Sequence, residues 1–208
     1  MIHMAKGRFH RTVSAWMFCL AFVFPSVVQS QNFDINTLKS INPKYPTSDF
    51  WKVTSSSAYW VPALTAAGEF TYGVIHQDKF SKQRAYELLI NIGVSSAITG
   101  AGKIIFHRKR PEESYPNEVY VISPTHGRSF PSGHASLAFA TATTLALEYK
   151  KWYIVVPAYL WAGSIGYSRM YLGKHYPSDV LAGAAVGVGS GYLSHWLSYK
   201  LFRHRIFQ

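Results

Sequence analysis

The sequence has a single cysteine and little charge. Cys19 is the only cysteine among 208 residues, and it lies within the first 30. One thiol cannot build a disulfide framework, and removal of the N-terminal segment would leave no cysteine nucleophile. Charged residues make up 15% of the chain, and Asp and Glu together number only 10. The sequence shows no Cys/His cluster or carboxylate group with the spacing of metal ligands, so we expect no cofactor and no metal.

Charge is absent altogether from three long stretches. Residues 88–102, 152–168 and 180–199 contain no Asp, Glu, Lys or Arg, which is unusual for the surface helices of a soluble domain. They are rich in Gly, Ala and Ser, the small residues that let membrane helices pack closely. We therefore predict an all-α fold, a helical bundle of about five to six mostly transmembrane helices. A soluble bundle with buried helices stays open as an alternative, because several of these stretches are short.

The charge that is present is mostly positive. The chain has 21 Lys and Arg against 10 Asp and Glu, a formal net charge of +11. Sparse basic charge fits a membrane surface better than nucleic acid, which calls for a dense Lys/Arg face. The 6 Trp, 14 Tyr and 13 Phe also favour membrane interfaces. We expect the lipid bilayer as a partner and no nucleic acid, and the sequence indicates no protein partner.

Three regions follow one another along the chain. Residues 1–30 carry a basic head before the apolar run "SAWMFCLAFVFPSVV", which predicts a signal peptide or an N-terminal membrane anchor. Pro25 and the polar "QSQN" shorten this run below the ~20 residues of a spanning helix, which favours cleavage before Gln31. Residues 31–56 are predicted to be a polar lead-in, irregular or lying on the surface. Residues 57–208 are predicted to form the helical bundle domain.

The joints between the predicted helices differ in kind. The helices are expected at roughly 57–75, 84–106, 134–149, 152–167 and 179–199. If the N-terminal segment carries Gln31 across the membrane, alternation places the joints with Lys79 and Lys150 and the tail with Arg203 in the cytoplasm. This arrangement obeys the positive-inside tendency. The two other joints fall on the extracytoplasmic face, where their basic residues call for another explanation.

The first of these joints begins with "KIIFHRKRP". Lys103 lies seven residues before Arg110, which directly precedes Pro111. Seven residues are almost two helical turns, so both cations can project from one face if the helix continues that far. A lone Lys at a helix end is commonly a snorkelling anchor, and this is the ordinary explanation for Lys103 alone.

The same joint ends with "PSGH" at the start of an apolar helix. Ser132 can cap that helix, and Gly133 lets the backbone approach a ligand closely. The free amides of the first helical turn form an anion site, with His134 beside it. Taken alone, the motif is equally consistent with a plain helix start and a chance histidine.

The second joint, "SRMYLGKHYPSD", contains Arg169, His175 and Asp179. A spacing of four lets the carboxylate accept a proton from one imidazole nitrogen and leaves the other nitrogen free to attack. Arg169 adds a planar fork that suits phosphate oxygens. Alone, the His–Asp pair could be a surface pair. Together, the two joints predict a phosphate cradle with an internal nucleophile.

These motifs resemble a known family. "K-x6-RP", "PSGH" and "SR-x5-H-x3-D", in this order across residues 103–179, are similar to the three-part signature of the type-2 phosphatidic acid phosphatase and vanadium haloperoxidase superfamily, in its membrane lipid phosphatase branch. The resemblance implies that His175 attacks phosphorus and forms a phosphohistidine, with Asp179 holding its tautomer. His134 would protonate the leaving alkoxide and later activate water.

The resemblance also implies a phosphate-binding set and no metal. The expected ligands of the phosphoryl oxygens are Lys103, Arg110, Ser132, Gly133 and Arg169. His126 and Arg128, in the loop before "PSGH", are additional candidates for contacting a head group, although solvated loop residues would look the same.

The expected function is a phosphatase acting on a lipid phosphate monoester or diphosphate, with its active site at one membrane face. The signal-like N-terminus and the topology indicate the bacterial inner membrane, with the site facing the periplasm. Lipid A phosphate, phosphatidylglycerol phosphate, undecaprenyl diphosphate and phosphatidic acid are all open as substrates, with lipid A placed slightly ahead. The alternatives are a soluble periplasmic acid phosphatase of the same superfamily, a vanadate-dependent haloperoxidase and a non-enzymatic lipid-binding membrane protein.

Overall fold

The structure is a computed structural model that describes residues 27–206. In this part of the chain the helices are α1 (Val27–Ile41), α2 (Asp49–Ile75), α3 (Lys79–Phe106), α4 (Pro111–Ser114), α5 (Gly133–Tyr149), α6 (Trp152–Tyr171) and α7 (Pro177–Ile206). Residues 27–206 contain no strand, and the predicted all-α class is confirmed. Most of the predicted signal peptide or anchor, with Cys19, lies outside the described residues. The predicted cleavage point before Gln31 falls inside α1.

All five predicted helices of the bundle are present, and the largest error concerns the polar lead-in. Residues 31–56 were predicted to be irregular or to lie on the surface. They are not irregular, because α1 occupies their first part and α2 begins already at Asp49. The polar composition is misleading because α1 buries one face: Ile35 and Leu38 pack with Val119 and Tyr176 in a small apolar cluster. The packing of a few apolar residues against the bundle therefore stabilises helix α1.

Helix α5 lies at the centre of the bundle and packs against α3, α6 and α7. Its contact with α7 depends on glycines spaced four residues apart on α7. A Cβ added at Gly183 would lie 2.5 Å from the carbonyl oxygen of Ser132, and one added at Gly191 would lie 2.6 Å from Cγ2 of Thr143. The two helices are therefore in backbone contact, as the small-residue pattern predicted.

The interior of the bundle holds many polar side chains beside a small apolar core, and many large apolar side chains lie on its exterior. Ser136 Oγ in α5 lies 2.6 Å from Ser95 Oγ and accepts a hydrogen bond from Thr99 Oγ1 at 2.9 Å, and all three residues are buried. Large apolar side chains on the long helices are instead exposed, among them Leu64 (63%) and Leu160 (69%). By length and composition, one helical stretch of the described residues, Lys79–Ser114, could cross a membrane.

The helices run back and forth between two ends of the bundle. At one end Tyr149 Oη donates to Glu69 Oε1 at 2.8 Å, and the guanidinium of Arg84 lies 4.6 Å from the centroid of the Tyr149 ring. At the other end of the bundle, the ends of α3 and α6 meet the starts of α5 and α7. There Ser132 N donates to the carbonyl oxygen of Asp179 at 3.0 Å. The two motif-bearing joints therefore lie together.

Candidate active site

A tight turn between α6 and α7 presents the histidine of the second motif. Gly173 has φ +68°, and a Cβ at this position would lie 2.6 Å from the carbonyl oxygen of Tyr120, so only glycine fits without strain. His175 follows in the turn, and Asp179 lies in the first turn of α7. The histidine Nδ1 is 3.5 Å from Oδ2 of Asp179, and the two side chains are 2% and 0% exposed. The structure therefore brings this predicted pair together in the interior.

Burial controls the charge of this histidine. It lowers the pKa of His175 from 6.5 to about 3, an effect that the hydrogen bond to Asp179 only partly opposes. The imidazole is therefore neutral at pH 7. Because a carboxylate can only accept a hydrogen bond, the position of Asp179 favours the tautomer with the ring proton on Nδ1 and the lone pair on Nε2. A neutral imidazole with a free Nε2 has the electronic state that a nucleophile requires.

Asp179 is held by residues that the sequence patterns did not single out. Arg108 Nη1 donates to Oδ1 at 2.7 Å, while Ser129 Oγ donates to Oδ2, which also accepts from Tyr176 N at 3.0 Å. Arg108 falls among the six variable positions between Lys103 and Arg110, and Ser129 precedes "PSGH". Nothing in their spacing distinguishes them from their neighbours.

The cations of the first joint reach the site from two different elements. Helix α3 ends at Phe106, so it does not continue to Arg110, and the condition for Lys103 and Arg110 to share one helical face is not met. His107 ends the helix in the left-handed conformation, and Pro111 begins α4. Lys103 Nζ donates to the carbonyl oxygen of Arg128 at 2.6 Å. The irregular chain after α3, and not helical periodicity, positions Arg110.

The two arginines of the predicted phosphate site are largely buried. Arg110 is 5% exposed and donates to the carbonyl oxygens of Gly127 and Lys174 at 3.0 and 2.9 Å. Arg169, at the end of α6, is 7% exposed and donates from Nη1 to Ser55 Oγ at 2.7 Å. Its Nε is buried without a hydrogen-bond partner. A buried N–H group of a cation that has no hydrogen-bond partner in the protein is suited to bind an anionic ligand.

The "PSGH" motif forms the start of α5. Ser132 occupies the N-cap position, but its side chain makes no capping hydrogen bond, so the predicted capping role is wrong. Its Oγ is buried and without a partner. A Cβ at Gly133 would make only an ordinary contact of 3.7 Å with Thr99, so protein packing does not require a glycine there. His134 follows, with Nδ1 3.5 Å from Tyr59 Oη.

These groups lie near one another at the active-site end of the bundle. Burial and, to a lesser extent, the nearby Arg169, His175, Arg110 and Lys103 lower the pKa of His134 from 6.5 to about 2. Two buried donors without partners, Ser132 Oγ and Arg169 Nε, belong to the same set. Several positively charged hydrogen-bond donors, together with a helix N-terminus and two imidazoles, suit a ligand with several acceptor oxygens.

The loop before "PSGH" carries the two candidates for head-group contacts. His126 and Arg128 are both exposed. The carbonyl oxygen of Arg128 accepts from Lys103, so this loop lies at the edge of the site. In the described residues, no group of three or more His, Cys, Asp and Glu side chains could hold a metal ion.

The fold and the site define a class: an all-helical bundle that gathers cations, two histidines and a buried carboxylate at one end. The model of the PAP2 superfamily matches residues 84–203, more than half of the chain. The chain belongs to the PAP2 superfamily, which confirms the resemblance read from the three motifs.

Three known proteins illustrate the similarity. A lipid A 1-phosphatase of Porphyromonas gingivalis is 39% identical over 124 residues, which cover 56% of this chain and 25% of the relative. An undecaprenyl-diphosphatase of Sulfolobus acidocaldarius is 26% identical over 192 residues, covering 86% of this chain and 88% of the relative. The crystal structure of Aquifex aeolicus LpxE superposes with a TM-score of 0.61 at 26% identity, covering 78% of this chain and 94% of the other. The chain thus spans only a quarter of the first relative.

Proposed function

We propose that this protein is a membrane phosphatase that hydrolyses a lipid phosphate monoester or diphosphate through a phosphohistidine intermediate. One observation carries the proposal. Buried donors without partners, Arg169 Nε and Ser132 Oγ, occur together with two further cations around His134 and the neutral His175. Binding alone would need only the cations, whereas a buried His–Asp pair beside them supplies a nucleophile.

In the first step Nε2 of His175 attacks phosphorus. A nitrogen–phosphorus bond forms while the bond between phosphorus and the leaving oxygen breaks. The leaving oxygen takes a proton from the protonated form of His134. Burial and neighbouring positive charges lower the pKa of His134 to about 2, and the negative charge of the bound phosphate opposes this lowering. Asp179 stabilises the positive charge that develops on the ring of His175. The cations Lys103 and Arg169, with Arg110 beside them, stabilise the negative charge on the phosphoryl oxygens.

In the second step water replaces the histidine. His134 removes a proton from water, the resulting hydroxide attacks phosphorus, and the nitrogen–phosphorus bond breaks. Inorganic phosphate leaves, the ring of His175 returns to its neutral state, and His134 again holds the proton that the next turnover requires. Apart from the substrate and water, every group in this cycle is a side chain of this chain, so the mechanism calls for no metal.

The distribution of polarity supports a position within a membrane. Soluble proteins bury their large apolar residues, whereas this bundle buries Ser95, Thr99 and Ser136 and exposes Leu64 and Leu160. The motif-bearing joints lie at one end, so the site would open at a membrane surface. With the basic joints in the cytoplasm, that surface is the periplasmic face of the bacterial inner membrane. The phosphatase bundle would begin with α2 at Asp49 and not at residue 57, and the residues before α1 would form the signal peptide or anchor.

We place lipid A phosphate first among the substrates. The relative from Porphyromonas gingivalis is named as a lipid A 1-phosphatase and is 39% identical over the shared region. Undecaprenyl diphosphate is the main competitor, because the relative with that named activity covers 86% of this chain. Both substrates present a phosphate at the membrane surface, which is where the proposed site lies.

The experiment that tests this function is phosphate release by the purified protein in detergent. The substrates are lipid A, phosphatidylglycerol phosphate, undecaprenyl diphosphate, phosphatidic acid and a soluble aryl phosphate, with His175→Ala as the control. We expect turnover of at least one lipid and none by the variant. Vanadate should inhibit because it mimics the pentacoordinate transition state, and a chelator should not. Activity that persists in His175→Ala would contradict the phosphohistidine.

A soluble periplasmic acid phosphatase is the second candidate. The observation in its favour is that Lys79–Ser114 is the one described stretch with the length and composition of a membrane span. Alkaline carbonate treatment of membranes distinguishes the two, because it releases peripheral proteins and leaves embedded ones. Release of the protein, together with faster turnover of the aryl phosphate than of any lipid, would favour the soluble enzyme.

A further inference from the structure

The N-terminal helix α1 delivers a carboxylate to the active-site end of the bundle. Asp34 is 2% exposed, although it belongs to a polar segment outside the residues that match the family model. Its Oδ2 accepts from Arg108 Nη2 at 2.8 Å, and its Oδ1 accepts from Ser178 N at 3.0 Å. Ser178 Oγ also donates to Asp34. A buried carboxylate with this many donors is held in one position.

Arg108 joins this carboxylate to the reacting pair. Its Nη1 donates to Asp179 Oδ1 at 2.7 Å while Nη2 is bound to Asp34. Its guanidinium carbon lies 4.0 Å from the centroid of the Tyr176 ring, which orients the planar group. The backbone of Arg108 acts as well, because its carbonyl oxygen accepts from Ser129 N at 2.8 Å. Ser129 in turn donates from Oγ to Asp179 Oδ2.

We infer that Asp34 and Arg108 are positioning residues that fix the orientation of Asp179 and, through it, the tautomer of His175. The inference rests on the proposed function, in which His175 is the nucleophile. Arg108 binds Oδ1 and thereby holds Oδ2 toward the imidazole. Asp34 balances the charge of Arg108, so that Asp179 keeps enough negative charge to stabilise the imidazole when it becomes positive. Neither residue touches the phosphate in this scheme.

The kinetic test uses two variants that remove one charge each. Arg108→Gln and Asp34→Asn should lower kcat by roughly 10- to 100-fold, the range found for partners that orient a metal-bound histidine. KM should change by less than about twofold, because substrate binding is not affected. Arg108→Lys should recover part of kcat, since Lys can reach one carboxylate but cannot bind both with a planar fork.

Two exposed charged residues serve as matched controls. Lys109→Gln removes the cation that follows Arg108 in the sequence. Asp49→Asn removes a carboxylate that forms an ion pair with Lys52 at the surface. Both controls should retain wild-type kcat. Thermal unfolding in detergent measures the folded fraction of every variant, and kcat is referred to that fraction. Asp34→Asn keeps the side-chain volume, so it carries the test if Arg108→Gln does not fold.

A second measurement reads the orientation directly and needs no substrate. In protein labelled with ¹⁵N-histidine, the nitrogen shifts of His175, assigned with His175→Ala, report which ring nitrogen carries the proton. We expect one tautomer, protonated at Nδ1, in the wild type and in Lys109→Gln. Arg108→Gln and Asp34→Asn should show a mixture of tautomers.

The two measurements separate the inference from the function on which it rests. A wild type that releases no phosphate from any substrate would overturn the proposed function, while the tautomer spectra would still decide the positioning role. A fixed Nδ1-protonated tautomer in both folded variants would overturn the positioning role. A loss of kcat in Lys109→Gln equal to that in Arg108→Gln would overturn it as well.

Discussion

Replacing Asp179 with asparagine tests the centre of the proposed mechanism with almost no change in shape. Both oxygens of the buried carboxylate accept hydrogen bonds. Oδ1 accepts from Arg108, and Oδ2 accepts from Ser129 and from Tyr176 N, with His175 Nδ1 at 3.5 Å. Asparagine has one acceptor and one NH₂ group, so in either orientation of the amide a donor faces another donor.

The size of the effect follows from these contacts. If the NH₂ group faces His175, the imidazole must accept at Nδ1, its proton moves to Nε2, and the attacking lone pair is lost. In a His–Asp pair of a catalytic triad, this change of tautomer lowers kcat about 10⁴-fold, which corresponds to about 5.5 kcal/mol. Breaking a buried ion pair costs about 3–5 kcal/mol of stability. We expect about 3 kcal/mol here, because Arg108 keeps Asp34 as a partner.

The assay measures kcat for phosphate release in detergent, referred to the folded fraction from thermal unfolding. Asp49→Asn, which makes the same chemical change at an exposed position, is the control and should match the wild type. A folded Asp179→Asn protein with kcat within about tenfold of the wild type would refute the tautomer argument. The phosphohistidine mechanism would then need another way to hold His175.

Three other predictions concern pH and glycine positions. Burial lowers the pKa of His175 from 6.5 to about 3, so the unfolded chain binds a proton in this window that the folded chain does not, and stability falls as the pH falls. Between pH 7 and 5 this loss is about 2 kcal/mol, and denaturant titrations should show it reduced in His175→Ala; an equal loss in both proteins would contradict it. Gly187→Ala should lower the melting temperature, because a Cβ at this position would collide with the backbone of α5. A Cβ at Gly189 would have no atom within 4 Å, so Gly189→Ala should leave the melting temperature unchanged. Equal melting temperatures of the two variants would argue against backbone contact between α5 and α7. Gly173→Ala should lower both stability and kcat because Gly173 has a positive φ. Gly163→Ala, where a Cβ has no atom within 4 Å, should leave both unchanged. A wild-type kcat in Gly173→Ala would show that the turn tolerates a side chain.

Most of the helices and the family could be predicted from sequence because both depend on local patterns. Uncharged stretches rich in Gly and Ala predict packed helices, and the start and end of α5 follow from the motif before it and the basic pair after it. The motif residues carry unusual chemistry at regular spacing, so His175 and Asp179 stand out against an apolar background. The prediction failed in residues 31–56, where the polar composition masks the apolar face of α1.

Residues that act through a partner distant in sequence could not be predicted in this way. Arg108 is one of several basic residues in "HRKRP", and Asp34 is one acidic residue in a polar segment. Their importance comes from a contact between positions 74 residues apart. Ser132 is an error of the opposite kind, in which the sequence predicts a contact that the structure lacks. Its position before α5 predicts a capping hydrogen bond, but its side chain does not form one.

The sequence alone determined the helical class, the superfamily and the residues of the three motifs, because helix formation and motif chemistry depend on residue type and short-range spacing. The tertiary structure decided which side chains meet. Packing of the chain places α1 against the active-site end of the bundle. Arg110 lies beyond the end of α3, the helix that carries Lys103. Ser132 Oγ and Arg169 Nε are buried without hydrogen-bond partners. It also buries His175, and that burial keeps the imidazole neutral. These properties arise from contacts between distant segments and from removal of water, neither of which is encoded in local sequence.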